Sequence, residues 1–294
     1  MSTCEPLHKC MEIKIKNLIP LSLLACFLLA PVLTSAHQPR VVDSDATEVI
    51  DPEVSKAYYG ELSGAPHIYS INTAEPFDLY VGVLMPYADD SQKDVQVEIR
   101  KGDDVLQIMG GKDAEWKEMF EFFGQSSYWD GGEYEANVDA GAYTIIVSST
   151  NNDSKYSLAI GEIEAFDGNE TINALNLIPE LKSSFFNESP ISFIKSPFGW
   201  GYILIMYILA FAFGFLYRFI LKKVAKGSVR GVQKNIAKRD RLLRLAIAIG
   251  LLLWAITTSW NPWLLFFSGF ALFEALFSWC GLYAALGKNT CPVE

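Results

Sequence analysis

Between residues 67 and 160 the chain alternates apolar and polar positions with a period of two. His67, Tyr69 and Ile71 oppose Ile68 and Ser70. Phe77, Leu79, Val81 and Val83 alternate with Asp78, Tyr80 and Gly82, and Val95, Val97 and Ile99 with Gln96 and Glu98. Successive side chains of a strand point to opposite faces, so this pattern predicts strands with one face on a core and one in water. The clearest pair is Tyr143, Ile145 and Val147 after Asp139-Ala140-Gly141, then Tyr156, Leu158 and Ile160 after Asn151-Asn152-Asp153. Asx side chains satisfy local backbone groups and Gly tolerates positive φ, so both lead-ins read as turns. Several short strands separated by turns predict an antiparallel sandwich or jelly roll over residues 55–165. The stretch 37–54 is acidic and aperiodic and reads as a flexible leader. Residues 166–197, with Asn169, Asn173, Asn176, Pro179 and Pro190, read as a linker.

Outside this region the apolar positions run together. In residues 11–36, Lys14 and Lys16 precede an apolar run that ends in Thr34-Ser35-Ala36, the layout of a secretory signal peptide, assigned to residues 1–36. Met11 gives a better-proportioned start than Met1. A lipoprotein pattern at Leu23-Leu24-Ala25-Cys26 and an uncleaved anchor are the rival readings. Residues 198–221, 242–260 and 263–286 each read as a transmembrane helix by length, with Trp260 and Trp263 flanking the turn between the last two. A loop at 222–241 separates the first two spans, and a tail of residues 287–294 ends the chain. The fold class expected is a multi-domain membrane protein, an all-β sandwich or jelly roll followed by three transmembrane α-helices.

Charge adds a direction. Residues 37–196 hold 29 acids against 10 bases, −19 by difference, whereas residues 222–244 hold nine Lys or Arg and a single acid, Asp240. The excess of cations beside a span marks the cytoplasmic side, so the β-domain is expected outside an inner (plasma) membrane and the basic loop and tail inside. Cations confined to one connector give no nucleic-acid footprint. Of five cysteines, Cys4, Cys10 and Cys26 fall in the leader, leaving Cys280 and Cys291 for the mature chain and none for the β-domain, which must be held by its own core.

Candidate chemistry is sparse. No nucleophile, metallopeptidase or CxxC motif is present, so no catalytic residue and no cofactor is assigned and the protein is expected not to be an enzyme. Asp89-Asp90, Asp94 and Asp103-Asp104 lack the spacing of a calcium loop, which leaves a metal undecided. Trp116, Tyr128, Trp129 and Tyr134, beside Asp130, Glu133 and Glu135, form either a ligand platform or an amphipathic helix packed into the sandwich. Glu274, about mid-span, needs a partner in an apolar surrounding: Thr257, Ser268, Ser278, or Glu274 of a second copy. Cys280 and Cys291 are either packing and tail residues or a redox, sulfur or soft-metal site.

Two resemblances bear on this. The run DAGAYTIIVSSTNNDSKYSLAIG resembles the last two strands of prepeptidase C-terminal-type jelly rolls, which implies a fold and no activity. The segment Asn235–Cys291, with Asp240-Arg241, Arg244, Gly250, Cys280, Leu282-Tyr283, Leu286-Gly287 and Asn289-Thr290-Cys291, resembles the two-helix membrane domain that follows the rhodanese in YgaP-type inner-membrane proteins, a family of unknown function. That family usually has Pro after its first cysteine where this chain has Gly281. No rhodanese sequence accompanies it here, so sulfur transfer does not carry over. Three roles follow as expectations: a membrane anchor presenting the β-domain to an extracytoplasmic ligand or partner, with the bilayer and a second copy of the helices as further partners; a redox or sulfur-handling component using Cys280 and Cys291; or a small-solute transport subunit using Glu274.

Overall fold

The structure is a computed structural model that describes residues 37–87, 92–122, 124–224 and 234–291. The signal segment, Asp89, Asp90, Phe123 and most of the basic connector lie outside the described residues. The chain divides into two compact units, one ending at Ser196 and one running from Pro197 to the C-terminus.

The first unit is a sandwich of two mixed sheets. One has the order β1 (Gln38–Val41), β3 (Lys56–Glu61), β11 (Lys155–Ile160), β5 (Phe77–Pro86), β9 (Ser126–Val138), β8 (Lys117–Glu121). The other has the order β2 (Ala46–Glu48), β4 (His67–Thr73), β10 (Gly141–Ser148), β6 (Gln96–Lys101), β7 (Asp104–Gly110). The positions that alternate in the sequence make the core: Tyr69, Ile71, Leu79, Val81, Val83, Val97, Ile99, Ile145, Val147 and Leu158 are all at most 1% exposed. Tyr69, Tyr156 and His67 carry their polar atoms into this core and satisfy one another there, at 2.7 Å from the Tyr156 hydroxyl to each, as buried polar groups must.

Three expectations are corrected. The supposed flexible leader supplies β1 and β2, which pair parallel with β3 and β4, so the sheets are mixed rather than antiparallel. Backbone pairing holds these strands although their side chains do not alternate. The supposed linker contains α1 (Gly168–Ser184) and a 3₁₀ turn, Pro190–Lys195. Asp167 caps α1 by accepting from the N–H groups of Asn169 and Glu170, and Leu181 and Phe185 bury a satellite cluster around Tyr128 on the outer face of the first sheet. The aromatic block is no helix. It is the β8–β9 hairpin.

In the second unit, α2 (Pro197–Val224) holds a stretch long and apolar enough to cross a membrane. α3 (Lys238–Thr257) has charges through its first two turns, and α4 (Pro262–Phe277) is shorter. The expected third span 263–286 is interrupted: Ser278 takes a left-handed conformation, φ 54°, and the chain restarts as α5 (Gly281–Ala285). Of the two tryptophans flanking the turn, Trp260 is fully buried while Trp263 is 67% exposed.

Candidate functional site

The first sheet carries a groove on its outer face, and the register explains it. Pro39 pairs with Ala57, Ala57 with Ala159, Ala159 with Gly82, and Gly82 with Glu133. Residues in register on one face stand side by side, so a row of small side chains crosses four strands. The rows to either side carry larger ones, Tyr59 and Leu84 on one flank and Tyr80 on the other. A Cβ at Gly82 would lie 3.1 Å from the Tyr80 hydroxyl, so the missing side chain lets that phenol lie along the floor, where it donates to Glu133 Oε2 at 3.1 Å. α1 supplies one wall through Ile178 and Leu181.

The resulting cavity is about 510 Å³, and among the described residues its lining contains Glu121, Asp130, Glu133, Glu135 and Glu162 and no Lys or Arg, while the buried Lys182 ammonium lies behind it, 2.7 Å from Ser126 Oγ. Burial holds the His37 imidazole at its edge below the ordinary histidine range, against the opposing pull of Glu164, so this side chain adds no positive charge at neutral pH. Burial likewise pushes Tyr59 up to about 12, with a hydrogen bond to Tyr128 opposing; the two phenols are 3.1 Å apart and neutral. Phe120 and Phe122 stand exposed at the rim, at 57% and 42%. A wider cleft of about 870 Å³ lies near β1 and α1, but its cations are already engaged: Arg40 is bidentate to Glu170, and Lys56 donates to three backbone carbonyls.

The four rings of the expected platform are not brought together. Tyr128 is buried in the satellite cluster under α1, whereas Trp116, Trp129 and Tyr134 pack against the sandwich core. Adjacent positions of β9 point to opposite faces, which is why 128 and 129 part. Trp116 donates to the Gly111 carbonyl, and Trp129 stacks on Tyr87 with the Lys93 ammonium over its ring. Of the candidate metal residues, Asp94 accepts from Thr150 N and Ser154 Oγ, a structural role. Among the described residues no three His, Cys, Asp or Glu side chains converge to hold a metal ion.

In the helical unit Glu274 has a partner that differs from those expected. Arg244 Nε donates to its Oε2 at 2.9 Å, with the two side chains only 12% and 13% exposed. Thr257 bonds instead to the Leu253 carbonyl, and Ser268 donates to Ala248 O and meets Tyr207 at 2.7 Å. Glu274 lies in the last turn of α4, not at mid-span. The Arg244 guanidinium lies over the Tyr283 ring, 4.9 Å from its centre, and Cys280 is a buried free thiol. Asn235 ties the assembly: its amide donates to Cys280 O and accepts from Cys280 N, while its backbone carbonyl accepts from Thr290 N.

Residues 232–294 match the family described as inner membrane protein YgaP-like, transmembrane domain. Asn235, Arg244, Glu274, Cys280 and Thr290 all belong to this YgaP-like segment, so the polar cluster is its internal framework. The Gly281 departure has a local cause, because a Cβ there would come within 2.1 Å of the Tyr217 ring of α2. A helix that precedes the YgaP-like segment thus occupies space that a larger residue after Cys280 would fill. Among solved structures, the pre-peptidase C-terminal domain of collagenase from Bacillus anthracis aligns at 14% identity, covering 43% of this chain and 98% of that one, with a TM-score of 0.25. No curated protein matches the chain. The molecule is therefore a β-sandwich domain joined to a membrane-associated YgaP-like domain.

Proposed function

We propose that the protein is a membrane-anchored binding protein whose β-domain, outside the inner membrane, offers the groove on its first sheet to a ligand. The single observation that carries this reading is the groove itself: its size falls in the range of small-molecule sites, and a charged, aromatic-rimmed hollow has no role in holding the fold. The helices from Pro197 onward serve as the anchor, α2 as a full span and α3 with the shorter α4 as a hairpin beside it, with the basic loop and tail in the cytoplasm, and a second copy associates through them. The domain is not an enzyme in this reading. A His–Ser contact does lie at the groove, His37 Nδ1 with Ser55 Oγ, but Ser55 is 1% exposed and its hydroxyl is withheld from any substrate.

The test is a ligand screen by thermal shift on the full chain in nanodiscs, repeated on Gly82→Leu, which fills the floor. Hits lost in the variant support the reading. A screen whose hits all survive Gly82→Leu, or which yields none, sinks it. A second reading, redox or sulfur chemistry at Cys280, draws support from the place of that buried free thiol in the polar framework held by Asn235. Alkylation of Cys280 in native membranes at a rate no faster than an ordinary thiol would remove that support. The transport reading loses its motive, because Glu274 is compensated within the chain by Arg244.

A further inference from the structure

We propose that the β8–β9 turn is a peripheral membrane contact, its exposed phenylalanines entering the boundary between headgroups and acyl chains of the leaflet that α2 enters; this rests on the anchoring part of the reading above and not on the groove having a ligand. Phe120 and Phe122, at the end of β8 and the start of the turn, are 57% and 42% exposed. Exposed apolar side chains are ordinary on a protein surface, so the rings alone decide nothing. What decides is where the chain leaves the sandwich. Lys182 ties the turn to that exit: its ammonium donates to the Gln125 carbonyl at 2.6 Å and to Glu188 Oε2 at 3.0 Å, and the Ser192 hydroxyl donates to the same Glu188 oxygen at 3.2 Å. Gln125 closes the turn by donating to the Phe122 carbonyl at 2.7 Å. Ser192 lies in the 3₁₀ turn Pro190–Lys195, and Ser196 then leads into Pro197, the first residue of α2. From Ser192 to Pro197 is at most about 18 Å of chain even fully extended, and a 3₁₀ turn shortens it. Trp200, exposed in the first turn of α2, is the residue type that marks the headgroup level of a span. A turn pinned to the last residues before the span is within reach of that level.

The makeup of the patch suits lipid. Phenylalanine rings carry no polar atom that must keep a partner, and aromatic or large aliphatic side chains are what peripheral segments bury at the acyl boundary. Ile191 adds an exposed apolar side chain on the exit segment itself. Residues 118–126 contain two acids and no Lys or Arg, so anionic headgroups offer the turn no attraction and the contact is apolar. Glu121, at the base of the turn, is engaged by the Gly124 N–H. A second copy or a soluble partner would also cover two rings, but neither accounts for their place on the turn that is pinned to the membrane exit.

The experiment is electron paramagnetic resonance on the full chain in nanodiscs of zwitterionic lipid, the five native cysteines replaced by Ser. A nitroxide is placed at Phe122→Cys or, as the aqueous reference, at Asp103→Cys in the exposed β6–β7 turn. Oxygen concentrates in hydrocarbon and a nickel chelate stays in water, so the oxygen-to-chelate accessibility ratio should be severalfold higher at 122 than at 103 and should fall when Phe120→Asp is added. A ratio at 122 equal to that at 103, or unmoved by Phe120→Asp, overturns the inference. So does spin–spin broadening at 122 that dilution with unlabelled chain removes, which assigns the rings to a second copy. If circular dichroism shows the cysteine-free chain unfolded, Phe122→Trp with the native cysteines takes its place: quenching of the added fluorescence by brominated lipid supports the contact, and its absence overturns it. Extraction of the chain from native membranes by alkaline carbonate removes the anchor as well, whereas retention there with position 122 in water removes this inference alone.

Discussion

Lys182 is the clearest case of a side chain whose role depends on distant partners. It lies in α1, its ammonium is fully buried, and it donates to Gln125 O, Ser126 Oγ and Glu188 Oε2 at 2.6, 2.7 and 3.0 Å. It pins the helix across the β8–β9 turn, and burial lowers its pKa despite the pull of Glu188. Lys182→Met keeps the aliphatic stem but strands the buried acceptors, so a loss of about 1–3 kcal/mol is expected, read as a drop in the denaturant midpoint of the full chain. Nothing around residue 182 marks a buried cation, because two of its acceptors stand more than fifty positions away; a separation of 30 positions likewise hides the Arg244–Glu274 pair, legible only as two lone charges of opposite sign on adjacent helices. His37 carries a pH effect. Burial depresses its pKa below the ordinary value of about 6.5, so within that window the unfolded chain binds a proton that the folded one does not. The stability involved is fully present above about 6.5 and falls as pH drops toward the folded value. Chemical denaturation across pH 5–7.5 should show this slope in wild type and a flatter one in His37→Asn.

Elements divide by what kind of signal makes them. The half-buried strands were legible because one wet face forces alternation, and every apolar set read from the sequence points into the core. Strands β1 and β2 were hidden because their support is backbone pairing at a sheet edge, and α1 because its few buried positions are spaced among acids, amides and a proline. The groove needed register: Ala57, Gly82 and Ala159 are ordinary small residues until three strands set them side by side. In the helical unit, α2 meets α4 through small residues. A Cβ at Gly269 would lie 3.0 Å from the Tyr207 ring and 3.1 Å from the Ala210 Cβ, the close approach on which helices without a hydrophobic driving force rely. Gly269→Leu should therefore cost about 1–3 kcal/mol by overpacking, measured as faster unfolding in mixed detergent. The Arg244–Glu274 pair makes a sharper prediction for the α3–α4 contact. Removing one partner strands a largely buried charge, so Arg244→Leu or Glu274→Leu alone should destabilise by about 3–5 kcal/mol, whereas the double variant recovers a large part of that loss. Additive losses in the cycle would mean that the two groups do not compensate one another.

At the scale of the whole molecule, charge divides the chain. The β-domain region carries −19 over residues 37–196, and nine cations cluster at 222–244, directly after the long apolar helix. Positive loops are retained on the cytoplasmic side, and acidic residues contribute little to orientation, so the proposed topology rests on the basic cluster and not on the acidity of the domain. The consequence can be measured by labelling. Asp103 lies exposed in the β6–β7 turn, so a cysteine placed there should react with a membrane-impermeant maleimide on intact cells. Cys291, half-buried in the tail, should be protected until the membrane is opened, with peptide mapping to separate it from Cys280. Replacing Lys222, Lys223 and Lys226 with Gln should then raise the fraction of chains in which Cys291 is labelled from outside, because the bias that holds the loop inward has been reduced. Labelling of Cys291 on intact cells in the unaltered chain, with Asp103→Cys protected, would place the groove in the cytoplasm. It would leave the groove's chemistry intact while moving the ligand to the other side of the membrane.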